Sequence, residues 1–374
     1  MARVKVCILS NGLARGGTDT FVVNLVKYLN KSLFEVLVVN SCDTEKCIVR
    51  EPEITALGVP VIRTGNANLS LWNRLKHFYS LYKILRKEKV DVFHTNIDLY
   101  NGPQLFVAWL AGVPMRVCHS HNSQQALEVR DGRTLLVRIY QSVMRWFCWN
   151  FSTRRCGCSE EAMDFLFKGY EWRQNEYPTV IYNGIDLDKF KNTTDKNKKR
   201  RELGITANKL ILTVGQMVLQ KNPEFIVKCI SRYLKLHDDT DFIWVGIGSY
   251  KEEIDEWIKK SGMTQRFHFL GSRDDVNEIM ACCDAFFLPS YFEGLGIVLI
   301  EAQAAGLSCV ASTGVPILAN CGKVQFVSLD DPMNRWHAAL DRAITNVGVI
   351  DEKRLSSFSI INMTNQMSQV YTNK

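Results

Sequence analysis

The chain has 374 residues, 46% hydrophobic and 23% charged, which suits a soluble globular protein with room for two α/β domains. No apolar run approaches the ~20 residues a membrane-spanning helix needs, so such a span is excluded. The net charge of +7 lies in the first half, where residues 1–180 hold 23 Lys+Arg against 16 Asp+Glu, while residues 181–374 hold 23 of each.

A basic half suits nucleic acid, a phosphorylated substrate or an anionic membrane surface. Met1–Ser10 is strand-like and lacks the pattern of a secretory signal. The twelve cysteines are scattered, and Cys156-Gly-Cys158 and Cys282-Cys283 lack the partners of a metal site, so reduced core thiols in a cytosolic protein are expected.

Strand-like runs alternate with helix-length amphipathic stretches, which predicts parallel sheets with crossover helices. In the first half the strands are Val4–Leu9, Glu35–Asn40, Val61–Arg63, Val90–His94, Arg116–His119 and Thr179–Tyr182. Helices are predicted at Thr20–Leu29, Leu71–Lys87 and Leu135–Phe151. The Lys, Asn, Asp and Thr of Asn183–Ala207 predict a linker and the start of a second domain. There the strands are Leu210–Val214, Phe242–Gly246, Phe267–Leu270, Ala285–Leu288, Ser308–Ser312 and Phe326–Leu329. The helices are Glu224–Leu236, Lys251–Lys260, Val276–Cys283, Ile297–Ala305 and Met333–Thr345. The expected fold class is α/β, two doubly wound Rossmann-like parallel-sheet domains facing a central cleft. Their bounds are 1–185 with a last helix from about 358–374, and 186–357.

The most informative stretch is Pro289–Glu301. Gly294, Leu295 and Gly296 open a helix whose amides can close on an anion, Glu293 faces hydroxyls beside that anion, and Glu301 can reach a diol behind it. A nucleotide-sugar offers sugar hydroxyls, phosphate and ribose in that order; the bland alternative is a glycine-rich helix start with two solvated glutamates. Gly16 and Gly17 follow the first strand and precede a helix, again a place for phosphate, without the dinucleotide fingerprint. His119-Ser120-His121-Asn122 ends a strand, where imidazoles can hold a sugar hydroxyl, although a strand-end His is often merely structural. Gly215 and Gln216 begin the turn that carries Lys221, a fitting counter-charge for a diphosphate. Gly246-Ile-Gly248 and Leu270-Gly271 are strand-end turns able to wall a nucleobase. Asp186-Leu-Asp188 has the look of a metal-binding pair, but it stands beside the Lys/Asn-rich linker.

Two basic aromatic stretches, Leu69–Lys89 and Arg133–Arg155, suit either a membrane surface or packing on a sheet.

Taken in order, the Gly16-Gly17 loop, His119-Ser-His-Asn122, Cys158-Ser-Glu-Glu161, Val180-Ile-Tyr-Asn-Gly-Ile-Asp186, Lys221-Asn222, Gly246-Ile-Gly248, Phe269-Leu-Gly271 and Glu293-x7-Glu301 resemble glycosyltransferase family 4 over nearly the whole chain. These are retaining transferases of the GT-B fold, and the variant here is most similar to bacterial exopolysaccharide and capsule transferases. The resemblance implies that Glu293 contacts the donor sugar and Glu301 the ribose. It also implies that Lys221, with amides at Gly16–Gly17 and Gly294–Gly296, holds the diphosphate, and that His119 lies near the reaction centre. His121, Asn122 and Asn96 become acceptor-side candidates. Glu293, His119 and Lys221 form the expected catalytic set, and Gly215, Gln216, Gly248, Leu270 and Gly271 complete the donor site. The family usually carries Arg where this chain has Gln216, which removes a bidentate phosphate contact.

The expected reaction moves a hexose or N-acetylhexosamine from a UDP-sugar to a lipid-linked, polyprenyl diphosphate saccharide. It requires no metal and no other cofactor, and takes place on the cytoplasmic face of an anionic membrane, with no nucleic acid partner. The alternatives are an epimerase or phosphorylase on the same fold, or a non-catalytic partner of another transferase.

Overall fold

The computed structural model describes residues 3–14, 16–65, 70–123, 134–170, 179–191, 195–345 and 348–372. The chain divides into two compact units, Met1–Gly184 with Ile360–Lys374, and Ile185–Ser359.

Unit 1 is built on seven parallel strands in the order β3-β2-β1-β4-β5-β6-β7. They are β1 Val4–Ser10, β2 Phe34–Asn40, β3 Val61–Arg63, β4 Val92–Thr95, β5 Met115–Ser120, β6 Arg154–Gly157 and β7 Thr179–Val180. The crossovers are α1 Gly17–Tyr28, α2 Glu51–Thr55, α3 Leu71–Lys87, α4 Asn101–Leu110, α5 Leu135–Phe151 and α6 Glu160–Phe167. Alternation along β1 sends Val6 and Ile8 into one core with Phe21 and Leu25 of α1, and Cys7 and Leu9 into another with Leu81 of α3 and Leu105 of α4.

Unit 2 has six parallel strands in the order β10-β9-β8-β11-β12-β13. These are β8 Lys209–Val214, β9 Thr240–Val245, β10 Phe267–Gly271, β11 Ala285–Leu288, β12 Ser308–Ser312 and β13 Val324–Val327. Its helices are α7 Lys196–Glu202, α8 Pro223–Leu234, α9 Lys251–Ser261, α10 Val276–Cys282, α11 Ile297–Ala304, α12 Met333–Thr345 and α13 Glu352–Ser357. Ile211, Phe242, Trp244, Phe287 and Trp336 join in one of its cores.

Three differences from the sequence reading have physical causes. The Asn183–Ala207 linker contains α7, because Lys199 is buried against Asp275 and Glu278 at 2.6 and 2.5 Å while Lys196 and Arg200 both bind Asp284 at 2.6 Å. Strand β6 was not expected: the helix ends at Phe151 as predicted, and Arg154–Gly157 then pairs with β5. Strand β13 lies two residues before the predicted Phe326–Leu329. The twelve cysteines form no disulfide, and burial pushes the Cys156 thiol up to about 12.

The last described helix is α14, Ile360–Thr372, which is part of unit 1. Met363, Met367 and Tyr371 of this helix join the core that holds Val6 and Phe21. Gly184 sits so close that a Cβ there would meet the Ile360 Cα at 2.6 Å. Met367 is fully buried, so Met367→Ala is expected to destabilise unit 1 by about 2–5 kcal/mol through the cavity it leaves. The urea midpoint of unit 1 checks this, and an unchanged midpoint would show that α14 is not part of its core.

Candidate functional site

In unit 2 the strand-end turns lock together through positions that exclude side chains. Gly246 has φ +144°, and a Cβ on it would meet the Gly215 carbonyl at 2.1 Å; one on Gly248 would meet the Met217 carbonyl at 2.3 Å. The Gly246 amide donates to the Gly271 carbonyl at 2.8 Å, which ties in the turn after Leu270. The indole of Trp244 donates to the Gly215 carbonyl at 3.1 Å. Gln216, next along, is exposed.

This knot presents Lys221 to the turn after β11. Its ammonium meets the Glu293 carboxylate at 2.5 Å, and the two side chains are only 16% and 8% exposed. Ser290 donates to the same carboxylate oxygen at 2.7 Å, and Gln220 donates to the other at 3.4 Å and to the Phe292 carbonyl at 3.1 Å. The Glu293 amide donates to the Gly314 carbonyl at 3.1 Å. The sequence placed Lys221 and Glu293 on different parts of one ligand; the structure makes them partners, so an incoming anion competes with Glu293 for Lys221. Ser290 and Gln220 carry no motif of their own.

Gly294, Leu295 and Gly296 are buried, and Gly296 adopts a left-handed conformation (φ 78°, ψ 49°) that turns the chain into α11. Glu301 is half-buried on that helix. Burial pushes its carboxyl up to about 7, against the opposing charge of Lys189, so near neutrality it can either donate to or accept from a diol.

In unit 1, Gly16 precedes α1 and Gly17 is its first residue, but the Gly16 amide donates to Asp19 at 3.0 Å and so is satisfied within the chain. The strand-end histidines form a buried row. The Tyr371 hydroxyl lies 2.6 Å from His94 Nδ1, and His94 Nε2 lies 3.2 Å from His119 Nδ1. His119 stacks on His121 at 4.3 Å between ring centroids, and the edge of Phe21 packs on His119 at 4.9 Å. His121 Nε2 is 3.0 Å from Asn96 Oδ1. Asp98, in a left-handed conformation (φ 51°), accepts from the amides of His121 and Asn122 at 2.7 and 3.2 Å and from the Asn122 side chain at 2.6 Å. Strand alternation made the meeting of His119 and His121 legible; that of His94 with Tyr371, 277 residues apart, left no signal.

Among the described residues, the buried atom His119 Nε2 has no hydrogen-bond partner, whereas the side chains of His121 and Asn183 face each other. An unpartnered atom of this kind suits a polar ligand group. The row also sets a tautomer: a proton that Tyr371 donates to His94 leaves Nε2–H of His119 as a donor, and the reverse arrangement leaves it an acceptor. Among the described residues, no group of three or more His, Cys, Asp or Glu is arranged to hold a metal ion. Asp188 of the Asp-x-Asp pair binds Lys191 on the surface.

Burial lowers the imidazoles of His94 and His121 to about 3 and that of His119 well below its ordinary value. The unfolded chain therefore takes up protons below about pH 6.5 that the fold refuses, and this stability is present above that value and lost as pH falls. Between about pH 7.5 and 5.5 the loss is expected to reach roughly 4 kcal/mol for three imidazoles. Urea midpoints across that range check it, and His121→Asn should keep about two-thirds of the slope. An equal slope in the variant contradicts the assignment. Removing one partner of a buried pair costs about 3–5 kcal/mol, so Lys221→Met and Glu293→Gln should each destabilise unit 2 and the double variant by less than their sum; strict additivity would mean the two are uncoupled.

The sequence model described as Glycosyltransferase Family 4 matches residues 15–189, and that described as Glycosyl transferases group 1 matches residues 195–343. EpsF of Bacillus subtilis (strain 168), assigned as a glycosyltransferase, is 30% identical over 346 residues, 91% of this chain and 87% of that one. The UDP-Gal:alpha-D-GlcNAc-diphosphoundecaprenol alpha-1,3-galactosyltransferase of Escherichia coli is 31% identical over 250 residues, 66% of this chain and 63% of that one. HepE of Anabaena, crystallised with UDP and glucose, superposes over 100% of both chains with a TM-score of 0.81 at 17% identity. At that identity the likeness speaks for the fold, which is GT-B.

Proposed function

Since the chain belongs to glycosyltransferase family 4, we propose that it moves a hexose or N-acetylhexosamine from a UDP-sugar to a lipid-linked saccharide, with retention of anomeric configuration and without a metal. The observation that carries this reading is the Lys221–Glu293 pair held in the turn before α11. A donor diphosphate placed there takes Lys221 as its counter-charge, which frees Glu293 to accept from sugar hydroxyls. Charge then develops on the departing phosphate beside an ammonium and backbone N–H groups that are already in place, and preorganisation of this kind is the main source of such catalysis. The freed phosphate oxygen takes the proton of the acceptor hydroxyl on the same face, and the new glycosidic bond forms where the old one broke. In unit 1, His119 Nε2 supplies a buried hydrogen-bonding atom for a sugar hydroxyl.

The UDP donor is supported by the UDP and glucose of HepE and the UDP-Gal of the E. coli relative, and the lipid-linked acceptor by that relative's diphosphoundecaprenol. An acceptor of this type suits a role in capsule or exopolysaccharide assembly on the cytoplasmic membrane face, which is part of the same proposal. Among the described residues no helix is long and apolar enough to cross a membrane, so the association would be peripheral.

The test is incubation with a panel of UDP-, GDP- and dTDP-sugars and an undecaprenyl diphosphate saccharide in EDTA, with the product's anomeric configuration read by NMR. Transfer of a UDP-sugar with retention is expected. Glu293→Ala should lower turnover at least a hundredfold while UDP still binds. Free sugar from the donor alone would indicate an epimerase, and inversion or no transfer would overturn the reading.

A further inference from the structure

Outside the sites above, unit 1 holds a cavity of about 200 Å³ among α3, α4, α5 and the ends of β1, β2 and β4. Its walls are mainly Leu71 and Phe78 of α3, Ile97 after β4, Pro103 of α4 and Met144 of α5, with Arg74 among them. Asn11 and Ser41, the first residues beyond β1 and β2, also line it, as do Gln104 and Tyr140.

The loop from Asn96 to Tyr100 serves two neighbours. Asn96 and Asp98 hold His121 and Asn122, while Ile97 and Tyr100 line the cavity, with the Arg74 guanidinium 5.8 Å from the Tyr100 ring centre. One short segment therefore joins an apolar cavity to a buried polar site. Helix α3 carries Arg74, Lys76, Lys83, Arg86 and Lys87 and no acidic residue, and α5 has Arg138 and Arg145 and none either. At the mouth the apolar surface continues outward: Leu71 is 73% exposed, and Leu136, one helical turn before Tyr140 on the cavity face of α5, is 79% exposed. Exposed apolar side chains beside cations, leading to an apolar cavity with a guanidinium inside, match a ligand that is a hydrocarbon chain ending in a diphosphate.

We propose that this cavity binds the first isoprenoid units of the acceptor lipid, with Arg74 on its diphosphate, so that the attached saccharide is delivered toward His121 and Asn122. The assignment rests on the lipid-linked acceptor of the preceding section. It deepens that reading by giving the lipid a site of its own.

The probe is farnesyl diphosphate, titrated calorimetrically below its micelle concentration with UDP at saturation, beside inorganic diphosphate and farnesol. Farnesyl diphosphate is expected to bind at least tenfold more tightly than either fragment. Leu71→Glu should weaken it at least tenfold and inorganic diphosphate by less, and Arg74→Gln should weaken both diphosphates. Leu236→Glu, at an equally exposed leucine of unit 2, is the control and should change nothing. The proposal is overturned if farnesyl diphosphate binds no more tightly than inorganic diphosphate, or if Leu71→Glu behaves like the control. It is equally overturned if Leu71→Glu abolishes flotation with anionic vesicles while farnesyl diphosphate still binds, since the patch would then serve a bilayer surface only. Loss of transfer to every lipid-linked acceptor, with farnesyl diphosphate binding intact in the wild type and lost in Leu71→Glu, would remove the transferase reading and leave the cavity's ligand class standing.

Discussion

The contact on which the strand-end turns of unit 2 depend is one ion pair, Lys221 to Glu293 at 2.5 Å. It joins the turn after β8 to the turn after β11, neighbouring strands of one sheet whose connection runs through three α-helices and two further strands. A charge pair so little exposed persists only when its remaining hydrogen-bonding capacity is filled, and Ser290 and Gln220 fill it. Because both charges belong to the protein, the site is close to neutral before any phosphate arrives. An anion entering it exchanges partners and does not meet a bare cation, which favours a ligand that can also offer hydroxyls to the displaced carboxylate. Under the proposed function, that exchange would favour an activated sugar over free phosphate.

Unit 1 meets the same physical problem with neutral groups. His94, His119 and His121 lie where water does not reach, so they stay uncharged and pass directional hydrogen bonds from Tyr371 inward. Uncharged imidazoles suit sugar hydroxyls, which need one donor or acceptor at a set angle and no net field. In the proposed reaction, donor and acceptor chemistry would be divided between a compensated ion pair and a chain of neutral polar rings.

Much of this was written plainly in the sequence. Helices α3 and α5 were legible to the residue, since Ser70 and Thr134 cap them with side chains that accept from Asn73 and Val137, and their apolar periodicity is strong. Strand β6 was not, because it opens on Arg154-Arg155, and only tertiary contacts make those arginines tolerable: Arg155 lies over the Trp149 ring at 3.9 Å and donates to its carbonyl. Helix α7 was hidden for a related reason. Its lysines and arginines look solvated until Asp275, Glu278 and Asp284 are seen to converge on them from distant segments. Periodicity reports which faces are apolar, and it is blind to polar groups whose partners are remote in sequence. That is also why the bonds of Ser290 and Gln220 to Glu293, and of Tyr371 to His94, could not be read from the sequence.

The bond from the Trp244 indole to the Gly215 carbonyl gives this protein a reporter of its own. Indole emission depends on what its N–H touches, and this N–H touches the backbone of the turn that leads to Lys221. A ligand that reorganises the turn would alter the light from a fully buried fluorophore without any dye being attached, and the difference between wild type and Trp244→Phe would isolate that signal from the other tryptophans.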